Sequence, residues 1–394
     1  EAAFLAGRPS EALAVLRDAP GMLARSVDRL LRAGVEPAFM VESFTHAAPS
    51  VSGRVLLGLR EHLQNRTRAE KDARRVFPNR QGKAWVAPDT RAPLDAATVA
   101  ALNATIDREI ASRLPALANL VVDPAILGVA LPLTEKHKPR GCGVLPRGSR
   151  TALAGDPAVL RFFTYWREAK ERTDYDLSVL TLTGAWEPNA QCSYTSLKAG
   201  DFLAHSGDVV TAPAPLGATE FIDVSLGKLP RDTHAIVPQV NVYAGENFDD
   251  VAESFFGFMG RDALAPSSEY GRREPNGLPF EASTVQAKSE LRGKGKVALP
   301  VAFVRGAAGW EALWLHLTLT GVQWGNRVEQ NRTSTSMQIA AIAGRQYLTV
   351  RYLADMLAAK SVRDSNVAVT YVGFSVPEGV ASYTQLNLTA LIPA

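Results

Sequence analysis

The sequence predicts an α+β multidomain chain in which an antiparallel β-sandwich is flanked by a helical N-terminal region and by a C-terminal helix plus β-hairpin. Three observations carry that prediction. Apolar residues recur at three- and four-residue spacing before residue 64; short β-branched and aromatic runs, separated by Gly, Pro, Asn and Asp clusters, take over near residue 140; and a helical pattern returns after 325. With 394 residues, 46% hydrophobic and 21% charged, the chain is long enough to bury more than one core.

Residues 1–64 read as a helical, solenoid-like segment. "EAAFLAG" is helical in texture, so the chain reads as a piece of a longer polypeptide. "PSEALAVLRDA", "PGMLARSVDRLLRAG" and "SVSGRVLLGLREHLQ" carry apolar stripes punctuated by Pro20-Gly21 and Gly34. Residues 65–142 read as a basic connector with a helix. They contain the strand-like "KAWVA", and then "DAATVAALNATIDREIASRL" with Asp95 as its N-cap.

Residues 143–320 hold the sandwich runs "LRFFTYW", "YDLSVLTLTG", "CSYTSLK", "TEFIDVSL", "AIVPQVNVYAG", "KVALPVAFV" and "EALWLHLTL". "ENFDDVAESFFGFMGR" interrupts them as a short amphipathic helix, with Glu246, Asp249 and Asp250 as acids of its first turn. Trp166, Trp186, Trp310, Trp314 and Trp324 fall in or beside these runs, where large rings fill a sandwich core. Residues 321–394 close the chain with one helical pattern, "QNRTSTSMQIAAIAGRQYLTVRYLADMLAAK". After it, "NVAVTYVGFSV" and "ASYTQLNLTALI" are joined at "PEG" as a hairpin.

No stretch approaches the roughly 20 apolar residues of a membrane span, and the start lacks the layout of a signal peptide, so a cytoplasmic location is expected. Cys142 and Cys192 form no C-x-x-C pair, which argues against a disulfide framework or a zinc cluster. Residues 1–150 hold 22 Lys/Arg against 15 Asp/Glu, and the remainder 21 against 25. The excess sits in "NRTRAEKDARRVFPNRQGK" and "KHKPRGCGVLPRGSR". Glu70 and Asp72 interrupt the first run and no stacking aromatics interleave it, so it reads as a solvated helix face and linker; nucleic acid is not an expected partner.

The chemistry concentrates at "RTDYDLS". On a strand, Asp174, Asp176 and Ser178 share one face while Tyr175 and Leu177 take the other. Two carboxylates so close repel unless a cation neutralises them or one takes a proton. Oxygen ligands at this density suit Ca²⁺. An EF-hand is excluded, because Val179 stands where its glycine belongs and Ala185 where its glutamate belongs. Asp208 in "AHSGDVV" and Glu220 in "GATEFIDV" add two more acidic points at strand ends, with Asp223 on the face opposite Glu220. A lone acid of this kind is ordinarily a turn or surface residue. Three such points in one sandwich favour a metal.

His205, Ser206 and Asp208 are nucleophile-and-base residue types, but they fall within four positions of one turn, where a serially bonded triad does not form. His46, His62, His137, His234 and His316 are scattered and read as core or surface residues. No G-x-S-x-G, G-x-x-x-x-G-K-[ST] or H-E-x-x-H motif occurs, and a non-enzymatic protein is expected.

In order and spacing, "GVLPRGSR", "RTDYDLSVLTL", "SYTSL", "AHSGDVV", "ATEFIDVSL" and "IVPQVNVYAG" resemble the TerD family of bacterial tellurite-resistance and stress-response proteins, over roughly residues 143–320. The resemblance implies a β-sandwich that binds Ca²⁺ through acidic loops at one end and serves in stress-response complexes. It places Asp174 and Asp176 on the family's D-x-D acids, Asp208 on its H-[ST]-G-D acid and Glu220 on the last acid of its G-D-D-E segment. Ala218 and Thr219 stand where that segment has two further acids, and Thr195 and Ser196 where the family has an Asn pair. The expected function is therefore a calcium-binding sensor or structural clamp with protein partners or self-assembly. The alternative is a metal-free scaffold mediating protein–protein interaction.

Overall fold

The computed structural model describes residues 1–68, 73–79, 82–133, 139–261 and 281–394. Glu70, Asp72 and His137 lie outside the described residues. In chain order the elements are α1 (Ala2–Leu5), α2 (Pro9–Leu16), α3 (Pro20–Arg32), α4 (Pro37–Ala47), α5 (Gly53–Gln64), β1 (Arg74–Pro78), β2 (Ala84–Pro88), α6 (Ala96–Arg113), β3 (Leu120–Val122), β4 (Gly141–Cys142), β5 (Arg150–Ala152), β6 (Val159–Arg167), β7 (Asp174–Thr183), β8 (Pro188–Cys192), β9 (Lys198–Ala199), β10 (Leu203–His205), β11 (Ala218–Ser225), β12 (Thr233–Ala244), β13 (Glu253–Arg261), β14 (Val285–Glu290), β15 (Val297–Gly306), β16 (Gly309–Leu319), α7 (Val328–Gly344), α8 (Val350–Lys360), β17 (Thr370–Val372) and β18 (Ala381–Tyr383). They fall into two units, one of residues 1–73, 89–134 and 345–394, the other of 74–88 and 135–344. Helices and several antiparallel sheets make the chain α+β. No helix among the described residues is long and apolar enough to cross a membrane.

The first unit is mainly helical. Pro9, Pro20 and Pro37 open α2, α3 and α4 at positions where the missing N–H costs nothing. Asp95 caps α6 by accepting the Thr98 N–H at 2.7 Å, as its place before the apolar pattern predicts. Leu23, Leu30, Phe44, Leu56, Leu102 and Ile106 are fully buried in the core. Beside them Asp28 accepts from Arg32, His62, Arg66 and Arg91 at 2.6–3.1 Å.

Two expectations for the C-terminal residues are corrected. The helical pattern of 330–360 is two helices: Gly344 ends α7, and Leu348 then accepts the Leu131 N–H at 2.8 Å before α8 begins. The last two alternating runs supply β17 and β18, but these pair in parallel, as does β17 with β3, so they do not form a hairpin. Alternation fixes which face a side chain takes and leaves strand direction open. Residues 373–380 carry the chain back to the start of its neighbour.

The second unit is the sandwich. Its seven-stranded sheet runs β4-β14-β13-β6-β11-β10-β9 and its six-stranded sheet β5-β16-β15-β12-β7-β8, antiparallel throughout. Between them Phe162 of β6 meets Phe303 of β15 at 5.4 Å, and Trp166 of β6 stacks on Tyr175 of β7 at 5.8 Å. Trp166 and Trp314 are buried, whereas Trp324 is 63% exposed in the loop after β16, contrary to the core reading.

Three local expectations give way here. The "ENFDDVAESFFGFMGR" run is a turn followed by β13, because its apolar residues fit either period and pairing with β6 from Glu253 to Arg261 decides the outcome. Within "CSYTSLK" the chain turns, with Ser193 bridged to Ser196. In the basic connector, Arg74–Pro78 is a strand paired with β2 and not a helix face; Phe77 stacks on Trp85 at 5.5 Å.

Candidate metal centre

Tyr175, Leu177 and Val179 point into the inter-sheet core, so the pleat turns Asp174, Asp176 and Ser178 to the outer face of the six-stranded sheet. Asp174 is 9% and Asp176 2% exposed. The loop of residues 206–217 brings exposed Asp208 to them. One carboxylate oxygen from each of the three acids lies within 4.8 Å of the others.

Backbone bonds hold that loop in place. Ser206 N–H donates to Phe221 O, and Phe221 N–H donates to Ser206 Oγ, both at 2.9 Å. Glu220, with no exposed surface, accepts the Val209 N–H on Oε1 at 3.0 Å and the Leu177 N–H on Oε2 at 2.8 Å. His205 accepts the Gly207 N–H on Nδ1 at 3.0 Å, which leaves Nε2 to donate to Leu177 O at 3.0 Å. Glu220 thus lies outside the three-acid group and ties the Asp208 loop to β7. Both ring nitrogens of His205 and the hydroxyl of Ser206 are engaged with backbone groups.

The acids repel one another strongly. Burial first, then the charges of Glu220, Asp174 and Asp208, push Asp176 up to about 9, against an opposing pull from Arg327. Burial, then Asp208 and Glu220, push Asp174 up to about 6, with Arg172 opposing. Asp174 Oδ1 and Asp176 Oδ2 are buried without a hydrogen-bond partner. Bare buried carboxyl oxygens in an all-oxygen donor set, whose protons a cation would displace, fit a hard ion such as Ca²⁺.

Positions where the sequence departs from the family pattern take other roles. Thr195 Oγ1 donates to Glu329 Oε1 at 2.5 Å, Ser196 Oγ donates to Lys198 O at 3.2 Å, and Ala218 and Thr219 begin β11. Glu246, read from sequence as a helix-start acid, instead accepts the N–H groups of Ala169 and Lys170 at 2.8 and 3.0 Å. Glu168 does the same for Ala212 and Thr173 at 2.7 and 3.1 Å. No local pattern marks either residue as a loop brace, since their partners are backbone groups distant in sequence or within irregular loops.

No family model matches the chain, and no curated protein matches it. Two solved structures are similar to part of it. One is the crystal structure of an unknown function protein, SAV2460, 17% identical, covering 48% of this chain and 99% of that one at a TM-score of 0.34. The other is the crystal structure of a homologue of the telluride resistance protein TerD, SCO6318 from Streptomyces coelicolor A3(2), 15% identical, covering 46% of this chain and 98% of that one at a TM-score of 0.33.

Proposed function

We propose that this chain is a non-enzymatic, TerD-like calcium-binding protein of the bacterial stress-response type, in which the ion clamps the Asp208 loop to β7 within a cytoplasmic protein complex. The observation that carries the reading is the convergence of Asp174, Asp176 and Asp208 with two buried, unpartnered carboxylate oxygens. The ordered motifs around these acids support it. When bound, Ca²⁺ supplies positive charge and further coordination positions. The chain's own residues do the rest: three acids bind, Glu220 and His205 hold the loop, and the fold keeps the carboxylates together in advance.

A metal-free scaffold is the second reading. It is favoured by Thr195 and Ser196, which stand in place of the family's Asn pair and donate to Glu329 and to the Lys198 carbonyl. Thermal unfolding of the full chain in excess EDTA and in millimolar Ca²⁺, with the Asp174→Ala/Asp176→Ala double variant alongside, separates the two. A calcium-dependent rise in midpoint that vanishes in the variant supports the clamp. An unmoved midpoint, with no heat of Ca²⁺ binding, leaves the scaffold.

A further inference from the structure

The three acids come from β7 and the loop after β10, and β12 beside them has no part in that set. Asn241 of β12 is paired directly opposite Asp176, so the two side chains rise on the same sheet face as nearest cross-strand neighbours. Asn241 is 1% exposed. Its Nδ2 donates to Ser178 Oγ at 2.8 Å, which turns the amide nitrogen along β7 toward Ser178 and leaves Oδ1 as the free end. That oxygen is buried with no hydrogen-bond partner, as is Oδ2 of Asp176, the residue paired with it. With Asp176 ionised, as a bound cation would keep it, both oxygens are acceptors and neither satisfies the other; with Asp176 protonated, its O–H is the competing partner.

We propose that Asn241 Oδ1 is a further ligand of the cation held by Asp174, Asp176 and Asp208, so that β12 completes a site begun by β7 and the 206–217 loop. The inference rests on the calcium reading above and extends it to a neutral donor. An amide oxygen suits Ca²⁺, and it adds coordination without adding to the repulsion among the acids. Asn241 thereby substitutes for part of what Ala218 and Thr219 do not supply. The same face carries Gln239, fully buried opposite Ser178, with its Oε1 also unpartnered. Ordered water is the ordinary filler of such a row and is the competing occupant of the position at Asn241.

The test uses the full chain stripped with EDTA and titrated with Ca²⁺ by calorimetry, as wild type and as Asn241→Leu, which keeps the volume and removes the oxygen. A structure of the Ca²⁺-loaded wild type is determined in parallel. The expected results are a loss of affinity of about tenfold or more in the variant, and an ion about 2.3–2.6 Å from Asn241 Oδ1. Equal affinity in the two proteins, or an ion well beyond that range, overturns the proposal and gives the orphaned oxygen to water. If the leucine variant fails to fold, the loaded structure decides alone. A wild type that takes up no Ca²⁺ removes this proposal together with the calcium reading, whereas a wild type that binds and a variant that binds equally remove this one only.

Discussion

His205 and Glu220 lie side by side with no exposed side-chain surface, Nε2 3.4 Å from Oε2. Both reach the same residue of β7, one through the carbonyl of Leu177 and the other through its N–H. The pair is the means by which a loop closed by a glycine-containing turn holds Asp208 against a strand to which it is not hydrogen bonded along a ladder.

Glu220→Gln should therefore destabilise the chain even without metal. A carboxamide presents one NH₂ where the carboxylate presents an acceptor, so one of two buried N–H groups loses its partner at about 1–3 kcal/mol. Losing the charge of Glu220 also relieves Asp176, an effect of opposite sign. At pH 5 Asp176, pushed up to about 9, and Asp174, pushed up to about 6, largely keep their protons, so relief of either acid is small and the unfolding midpoint reads the lost hydrogen bond. A variant as stable as wild type at that pH would mean that the brace is dispensable.

Metal-free stability should fall as pH rises. Folded Asp174 keeps its proton up to about 6 and folded Asp176 up to about 9, whereas an unfolded aspartate releases its proton near about 4. Between those values the folded chain binds more protons than the unfolded one, which gives a negative slope of stability against pH. Calcium displaces those protons, so its stabilisation grows over the same window. Midpoints measured in EDTA should decline from about pH 4.5 to about 8.5 while the difference between Ca²⁺ and EDTA widens. A difference that stays constant with pH would show that the acids release no protons on binding.

Asp176→Asn should separate stability from binding. Because the folded chain no longer has to keep a proton on a buried acid that the unfolded chain releases, the EDTA-treated variant should be more stable than wild type at pH 8 by up to about 5 kcal/mol, and little more stable at pH 4, where the acid is largely protonated in either state. Its midpoint should respond much less to Ca²⁺, because one of the three ligand charges is gone. Tryptophan fluorescence reads this unit directly, since all six tryptophans lie within residues 74–88 and 135–344. A less stable variant at pH 8 would count against an uncompensated acid at this position.

Short β-branched and aromatic runs between turn residues made much of the sandwich legible. The patterns of β6, β7, β11, β12, β15 and β16 each fit one period, and the Asp174–Asp176 alternation gave the shared face directly. β13 was not legible, because "SFFGFM" serves a helix or a strand equally until β6 pairs with it. β1 was hidden by Arg74 and Arg75, whose charge suits an edge strand as well as a solvated helix. The role of Glu220 could not be read for a different reason: its partners are backbone N–H groups that only the folded chain brings to it.

Asp28 of the helical unit should show the reverse pH dependence of Asp176. Burial alone would raise it, but hydrogen bonds from His62, Arg66 and Arg32 overcome that and hold its carboxyl well below the usual carboxylate range. Its contribution is then fully present above about pH 4 and is lost as pH falls toward the folded value. Asp28→Asn leaves the nearly buried Arg66 without its anion and should lower stability by about 3 kcal/mol at pH 7, read by helical circular dichroism. The gap between variant and wild type should narrow as pH drops below about 4, where the unfolded chain takes up a proton that the folded one refuses. In the Asp176→Asn comparison the gap instead widens as pH rises. Two buried aspartates of one chain thus differ in sign because one is surrounded by cations and the other by acids, and a gap at Asp28 that did not change with pH would refute that account.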